Sequence, residues 1–425
     1  MSTPLAPAVE AAPIPVHVPL PAPARNSWPA TVWALLGGTF LVRAGGFVYP
    51  FLSIHLTHAR FSPGAISGVL AVFGAGWLVG QVVTGWAADH FGRRTTLITA
   101  MLLAAVALPP LAYTHGMIAV SAGALVAGAV YDAPRPIVSA VIADVIADEE
   151  GRARVSGWRH FAVNVGAALT GSVGGVVADA HGTAPLFWAN AAICLVVAGL
   201  AALVVKNTRP EGRAARGAYR QALADERLWL LWLASVCALI CCAGMFTALP
   251  MLMAEDGLSA TAYGWTQVAS AVAVVVLTPF LAPWLSRRAA GTQPMVGLLA
   301  ISALILGAGM GAAGLVSTPV GYCLAAAAAV PGEIILFVAA GDVLNRISPA
   351  HARGLYAGLW GSTLAVAVIL APILAGWSLT HGGDHIAAAT TFGAGLLGAA
   401  LCLPLAALTH RRAAHAGLAS VAPAL

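Results

Sequence analysis

The sequence predicts an all-α membrane protein of twelve transmembrane helices in two pseudo-symmetric six-helix bundles, and three observations carry that reading. Of 425 residues, 60% are hydrophobic and only 9% charged, with a mean hydropathy of +0.86, well beyond an ordinary soluble domain. A helix needs about 20 apolar residues at roughly 1.5 Å each to cross hydrocarbon, and twelve such runs separated by short loops follow Trp28. The last six runs then repeat features of the first six at a constant shift.

The runs fall approximately at 30–55, 64–87, 95–113, 117–143, 156–178, 185–205, 228–252, 263–285, 294–314, 319–343, 354–379 and 387–409. They divide the chain into a Pro-rich disordered tail at 1–27, a first bundle at 28–205, a linker at 206–227, a second bundle at 228–410 and a tail at 411–425. Arg60 lies on one side of the membrane, Arg43 and Arg135 lie inside runs, and every other basic residue, with Arg159 at the edge of the fifth run counted among them, is assigned to the tails or the even-to-odd loops. Basic residues accumulate on the cytoplasmic side, so both termini are expected there, in a multi-pass plasma (inner) membrane protein. The net charge of +5 is then a topology signal and no reason to expect nucleic acid. The N-terminal tail has no basic segment ahead of an apolar core, so no cleaved signal peptide is expected.

In the first run Arg43 would cost about 2.5–3.5 kcal/mol on insertion scales if it met lipid, so it should face the bundle interior and a partner; a purely structural ion pair is the alternative. Gly45 and Gly46 permit close helix approach or local unwinding, and Pro50 a kink. Between the second and third runs lies a charged hairpin, Gly85-Trp86-Ala87-Ala88-Asp89-His90-Phe91-Gly92-Arg93-Arg94. Gly92 supplies a permissive turn, the arginines anchor the connection, and Asp89 is left at a helix end where it can meet the arginines or another helix N-terminus.

The fourth run contains Tyr131-Asp132-Ala133-Pro134-Arg135-Pro136. Asp132 and Arg135 share a face, and the two prolines free carbonyls that only neighbouring helices or water can satisfy, so this helix should line a polar cavity. It ends in Asp144, a partner for the hairpin arginines. The fifth run carries Arg159-His160-Phe161-Ala162-Val163-Asn164, then Thr170-Gly171-Ser172-Val173-Gly174-Gly175.

The hairpin spacing G-x-x-x-D-x-x-G-R-R resembles the signature between the second and third helices of major facilitator transporters. The Tyr-Asp-x-Pro-Arg run, with Pro50-Phe51-Leu52-Ser53-Ile54 ending the first helix, is similar to the drug:proton antiporter branch and its MdtH-like multidrug members. That resemblance implies a gating role for Gly85, Asp89, Gly92, Arg93, Arg94 and Asp144, with Asp89 docking near Arg353 to Tyr356 in an outward-open state. Antiporters of the family carry G-P-x-x-G-G in the fifth helix; here Thr170 and Gly171 hold the first two slots and the proline is missing.

Arg152 and Gly157 reappear 201 residues later as Arg353 and Gly358, and Thr170 to Gly175 as Ala371-Pro372-Ile373-Leu374-Ala375-Gly376, which restores the proline. Gly171, Gly174, Gly175, Pro372 and Gly376 are accordingly expected at helix contacts. By the same shift Asp132 lands on Glu333, which follows Pro331-Gly332, so that helix is expected to break. In the second hairpin Pro283 stands where the acid was, ahead of Arg287 and Arg288.

A carboxyl with no cation nearby is the better proton carrier, and one beside arginines the better ion-pair partner. Glu333 and Asp132 are the expected coupling pair, with a kinked structural acid as the alternative for Glu333. Arg43, Arg135, Tyr131, Asn164, Phe47 and Phe337 are the expected cavity residues, with Phe40, Tyr49, Met245, Phe246 and Met251 on the same helices. The expected function is export of small, largely apolar molecules, drugs or secondary metabolites, by proton antiport; a nutrient or metabolite importer on the same scaffold is the alternative. A membrane enzyme or receptor is disfavoured because no nucleotide loop or catalytic triad is found. Partners are then substrate, protons and bilayer for a monomer without cofactors. The six cysteines lack metal or disulfide spacing and suit packing. His381, Asp384 and His385 could form a metal site, with a solvated loop as the alternative.

Overall fold

The first transmembrane passage is not one helix but two. The computed structural model describes residues 28–146, 149–208, 218–349 and 352–421. Span 1 comprises α1 (Ala30–Ala44) and α2 (Val48–His58), separated at Gly45-Gly46-Phe47, where the unwinding expected from paired glycines occurs. Spans 2 and 3 are α3 (Pro63–Phe91) and α4 (Arg93–Leu111); span 4 is α5 (Met117–Tyr131) with α6 (Pro134–Val145); spans 5 and 6 are α7 (Glu149–His181) and α8 (Ala184–Val204). A short α9 (Ala218–Leu223) lies within the predicted linker, whose residues 209–217 fall outside the described ones, as does the tail at 1–27.

The second half follows the same plan. Span 7 is α10 (Glu226–Gly244) with α11 (Ala248–Glu255), spans 8 to 10 are α12 (Ala260–Ala289), α13 (Val296–Ala312) and α14 (Pro319–Ile347), and α15 (Arg353–Val421) supplies the last two. Among the described residues eleven helical stretches are long and apolar enough to cross a membrane. The longest, Arg353–Thr409, folds back at Gly382 and Gly383, the latter at φ 66°, which makes twelve crossings. Helix α15 continues through Val421, past the predicted boundary at 410.

Spans 2, 8 and 10 start with one device. Ser62 accepts from the Ala65 N–H at 3.4 Å, Ser259 from Ala262 at 3.2 Å and Thr318 from Gly321 at 3.1 Å, each capping a long helix at a place where the backbone would otherwise be unsatisfied. Pro63 and Pro319 occupy the first turn, where their missing N–H costs nothing.

Two corrections concern helix integrity. Span 10 runs unbroken through Pro331, Gly332 and Glu333. A single proline removes the donor to one carbonyl, and Gly332 lets α14 lie directly on α13, where an added Cβ would sit 2.8 Å from the Ser302 carbonyl. Span 4 does break, because Pro134 and Pro136 remove two donors to the same stretch; the Asp132 carbonyl instead accepts from Arg135 N–H at 3.1 Å. Span 7 was expected to be continuous, yet it breaks at Met245 to Thr247, in the place matching the break in span 1.

The halves meet away from the hairpin. Gly171 and Gly264 face each other so closely that a Cβ on either would strike the other's backbone, and Gly175 lies against Ala260, where a Cβ would be 2.6 Å from its carbonyl oxygen. Asp179, at the end of α7, accepts from the backbone N–H groups of Ala260 at 3.0 Å and Thr261 at 2.8 Å. The opposite seam joins α3 to α15, with Gly376 against Ser67 and Gly64 facing Thr380.

Candidate functional site

The two breaks of the first half are tied to each other, and the ties hold the charged side chains in place. Backbone groups freed inside a membrane need partners. The Gly46 carbonyl accepts from Tyr131 Oη at 2.9 Å, the Arg43 carbonyl from the Thr170 hydroxyl, and the Val48 N–H finds Asn190 Oδ1 at 3.2 Å. Gly166 allows α7 to approach this knot, since a Cβ there would lie 2.7 Å from that of Arg43. Asn190, a lone polar residue on an apolar helix, gave no sequence signal.

Asp132 is buried at the span 4 break and shared by two guanidinium groups. Arg43 Nη2 lies 3.3 Å from Oδ1 and Arg135 Nη1 3.5 Å from Oδ2, with the Gln81 amide at 3.5 Å. The arginines remain about a quarter and a third exposed, at 26% and 34%, because they border a cavity of about 390 Å³ between the halves. That cavity brings together Arg43, Tyr131, Asp132, Arg135, Asn164, Glu333 and Phe337. Phe47 is elsewhere: it is buried with Phe51 against Gly174, whose missing side chain makes room for both rings. Phe40 and Met251 also lie outside the lining, whereas Tyr49, Met245 and Phe246 belong to it.

The cavity has unlike walls. The first half contributes Arg43, Asp132, Arg135, Arg159, His160 and Asn164 among apolar residues such as Leu35, Val42 and Val163; the second contributes Ala243, Met245, Phe246, Phe337, Leu364 and Val368, with Gln267, Ser270 and Glu333 as polar exceptions. Glu333 has no hydrogen bond or ion pair among the described residues. At the far end an aromatic floor closes the space: Tyr49 stacks on Phe73 at 5.4 Å, meets Trp77 and Tyr131 at 5.4 and 5.9 Å, and touches Phe246 of the other half at 5.6 Å. Toward the hairpin the lining extends to Leu97 and Val205.

Arg159 corrects the sequence reading. It was counted with the loops, yet it lies well inside α7 and lines the cavity, donating to the Ser139 hydroxyl at 2.7 Å. Asn164, an expected cavity residue, stands one turn from His160 on the lining, and its amide donates back to the His160 carbonyl at 2.9 Å.

The hairpin residues are bound within their own half. Gly92 turns the chain at φ 92°. Arg93 is buried and ion-paired with Asp144 at 2.5 Å, and its N–H donates to the Thr208 carbonyl at 3.1 Å. Arg94 donates to the Ala202 carbonyl, and Asn207 accepts from Thr95 N–H at 3.4 Å. Gly85 has open space around it, and Asp89 is exposed with no ion pair or side-chain hydrogen bond among the described residues. Pro372 is buried within α15. His381, Asp384 and His385 sit at the Gly382-Gly383 fold, and among the described residues no three metal-ligating side chains come together.

The profile of the Major Facilitator Superfamily matches residues 35–340. The chain belongs to that superfamily. A curated relative, multidrug resistance protein 1 of Bacillus subtilis (strain 168), is 27% identical over 192 residues, which cover 44% of this chain and 48% of the relative. The chain thus spans about half the length of that relative. Among solved structures, a peptide transporter POT in complex with sulfate superposes with a TM-score of 0.70 at 17% identity over 90% of this chain and 95% of that one. The POT family transporter PepTSo gives 0.73 at 14% identity over 91% and 99%. At those identities the likeness establishes the major facilitator fold, and the chain is an integral, multi-pass member of that transporter superfamily.

Proposed function

We propose that this superfamily member is a proton-coupled secondary transporter of small, partly apolar molecules, working by alternating access with Glu333 as the proton carrier. The supporting observation is the Glu333 carboxyl, without a partner among the described residues on a largely apolar wall, facing the Asp132–arginine pairs across a cavity between two repeated halves. Substrate sites at the interface of such repeats, near broken helices, are the general logic of these folds. With the hairpin end cytoplasmic, as the basic residues favour, this conformation is closed outside by the α7–α12 and α3–α15 seams and faces inward.

The first reading of direction is export of drugs or secondary metabolites by antiport, in line with the helix 4 resemblance and the name of the Bacillus relative. The second, import of a nutrient or metabolite, is favoured by the charged wall, which is more polar than drug export requires. Protonating Glu333 removes a negative charge, so a cationic substrate competes with the proton and an anionic one travels with it.

The test is transport in proteoliposomes under an imposed pH gradient. Glu333→Gln should abolish proton coupling, and Asp132→Asn should remove transport itself; coupling unchanged in both variants discards the assignment. Net flux in inverted vesicles separates export from import.

A further inference from the structure

We propose that the substrate is an organic anion, a carboxylate or sulfonate on an apolar body, and that Arg159 with Arg135 beside it anchors the anionic group. This rests on the transport reading and adds the charge of the cargo. Three guanidinium groups border the cavity, those of Arg43, Arg135 and Arg159, against the carboxyls of Asp132 and Glu333. Asp132 is already shared by Arg43 and Arg135, at 3.3 and 3.5 Å. Arg159 has no carboxylate within ion-pair distance among the described residues; its hydrogen bond goes to an uncharged hydroxyl. The first-half wall therefore carries a surplus of fixed positive charge.

Arg159 is the third residue of the span Gly157–His181, near the hairpin end of the cavity, where a guanidinium without a carboxylate partner among the described residues is open to water or a ligand. Arg159 is held, not loose. Ser139 donates its own proton to the Arg135 carbonyl at 2.9 Å, so its oxygen is oriented to receive Arg159 at 2.7 Å. That bond links Arg159 to the turn that begins with Arg135 and leaves other guanidinium N–H groups for a planar two-oxygen anion, the geometry arginine binds best. Opposite stand Met245, Phe246, Phe337 and Leu364, which suit an apolar body.

The experiment uses the purified full-length protein and three probes with the same ring system: naphthoate, naphthamide and naphthylmethylammonium, each measured by equilibrium dialysis. Naphthoate should bind about tenfold more tightly than the amide, the ammonium ion least. Arg159→Gln should reduce naphthoate to the level of the amide, and Arg159→Lys should restore part of the difference, with melting curves showing both variants folded. Binding of the amide or the ammonium ion as tight as that of naphthoate, or no binding by any probe, overturns the anionic assignment. An undiminished naphthoate preference in folded Arg159→Gln overturns the role of Arg159. Failure of the transport reading looks different, as absence of proton movement in proteoliposomes with every probe.

Discussion

Spans 4 and 10 occupy equivalent places in the two halves and carry an acid at the same depth, but they treat it in opposite ways. In span 4 two prolines split the helix at Asp132, and two arginines converge on the carboxylate. In span 10 one proline leaves the helix whole, and Glu333 stands on an apolar surface without a partner among the described residues. A duplicated scaffold can thus keep a position while dividing the work. One acid organises a charged, hydrogen-bonded knot, and the other stands without an ion-pair or hydrogen-bond partner among the described residues, as the proposed proton carrier requires.

The comparison is most severely tested at Asp132. Asp132→Asn leaves the arginines of the cavity without their carboxylate and should cost roughly 3 kcal/mol, at the lower end for breaking a buried pair because both arginines still reach the cavity. The melting temperature in detergent reads it. Glu333→Gln should leave that temperature nearly unchanged, within about 0.5 kcal/mol, while abolishing the dependence of transport on a pH gradient. Equal destabilisation by the two changes would erase the distinction between the acids.

Smaller effects sharpen the contrast at the hairpin end. Gly92→Ala should cost about 1–2 kcal/mol, because the residue sits at φ 92° and a Cβ would strike Asn207; thermal unfolding measures it. The second half holds its own end through Asp225, which caps α10 and accepts from Arg227 at 2.8 Å and Tyr356 at 3.0 Å. Burial opposes its charge, yet those bonds keep the carboxyl below its ordinary range. A depressed value means the stabilisation is whole above the ordinary carboxylate pKa of about 3.9 and fades as pH falls through the folded value. Asp225→Asn should therefore lower the melting temperature at neutral pH, and the gap from the parent should narrow below about pH 4. A gap that stays constant on acidification breaks this account.

Features with a local cause were legible in the sequence. The paired glycines allowed for the unwinding in span 1, the two prolines pointed to freed carbonyls on a cavity-lining span 4, and the isolated charges pointed to the pairing of Arg43 with Asp132 and of Arg93 with Asp144. Features set by packing were not. Whether Pro331 bends or breaks its helix depends on how closely Gly332 lets α13 approach, and the break of span 7 has no glycine pair, only Pro250 at the third position of α11, to announce it. Arg159 was hidden for another reason: a cation near a run boundary reads as a topology signal until the helix is seen to begin earlier, at Glu149.

The carboxylate of Asp179 belongs to one half and the two amide protons it binds belong to the other, at the first turn of α12. The constant shift carries Asp179 to Thr380, a neutral residue facing Gly64 in the companion seam. Parting of the halves on that side must therefore rehydrate an ion along one edge and only an uncharged contact along the other. The two edges of the exit differ in their sensitivity to salt and to substitution, and separation along the Asp179 edge should respond to ionic strength while its counterpart stays indifferent.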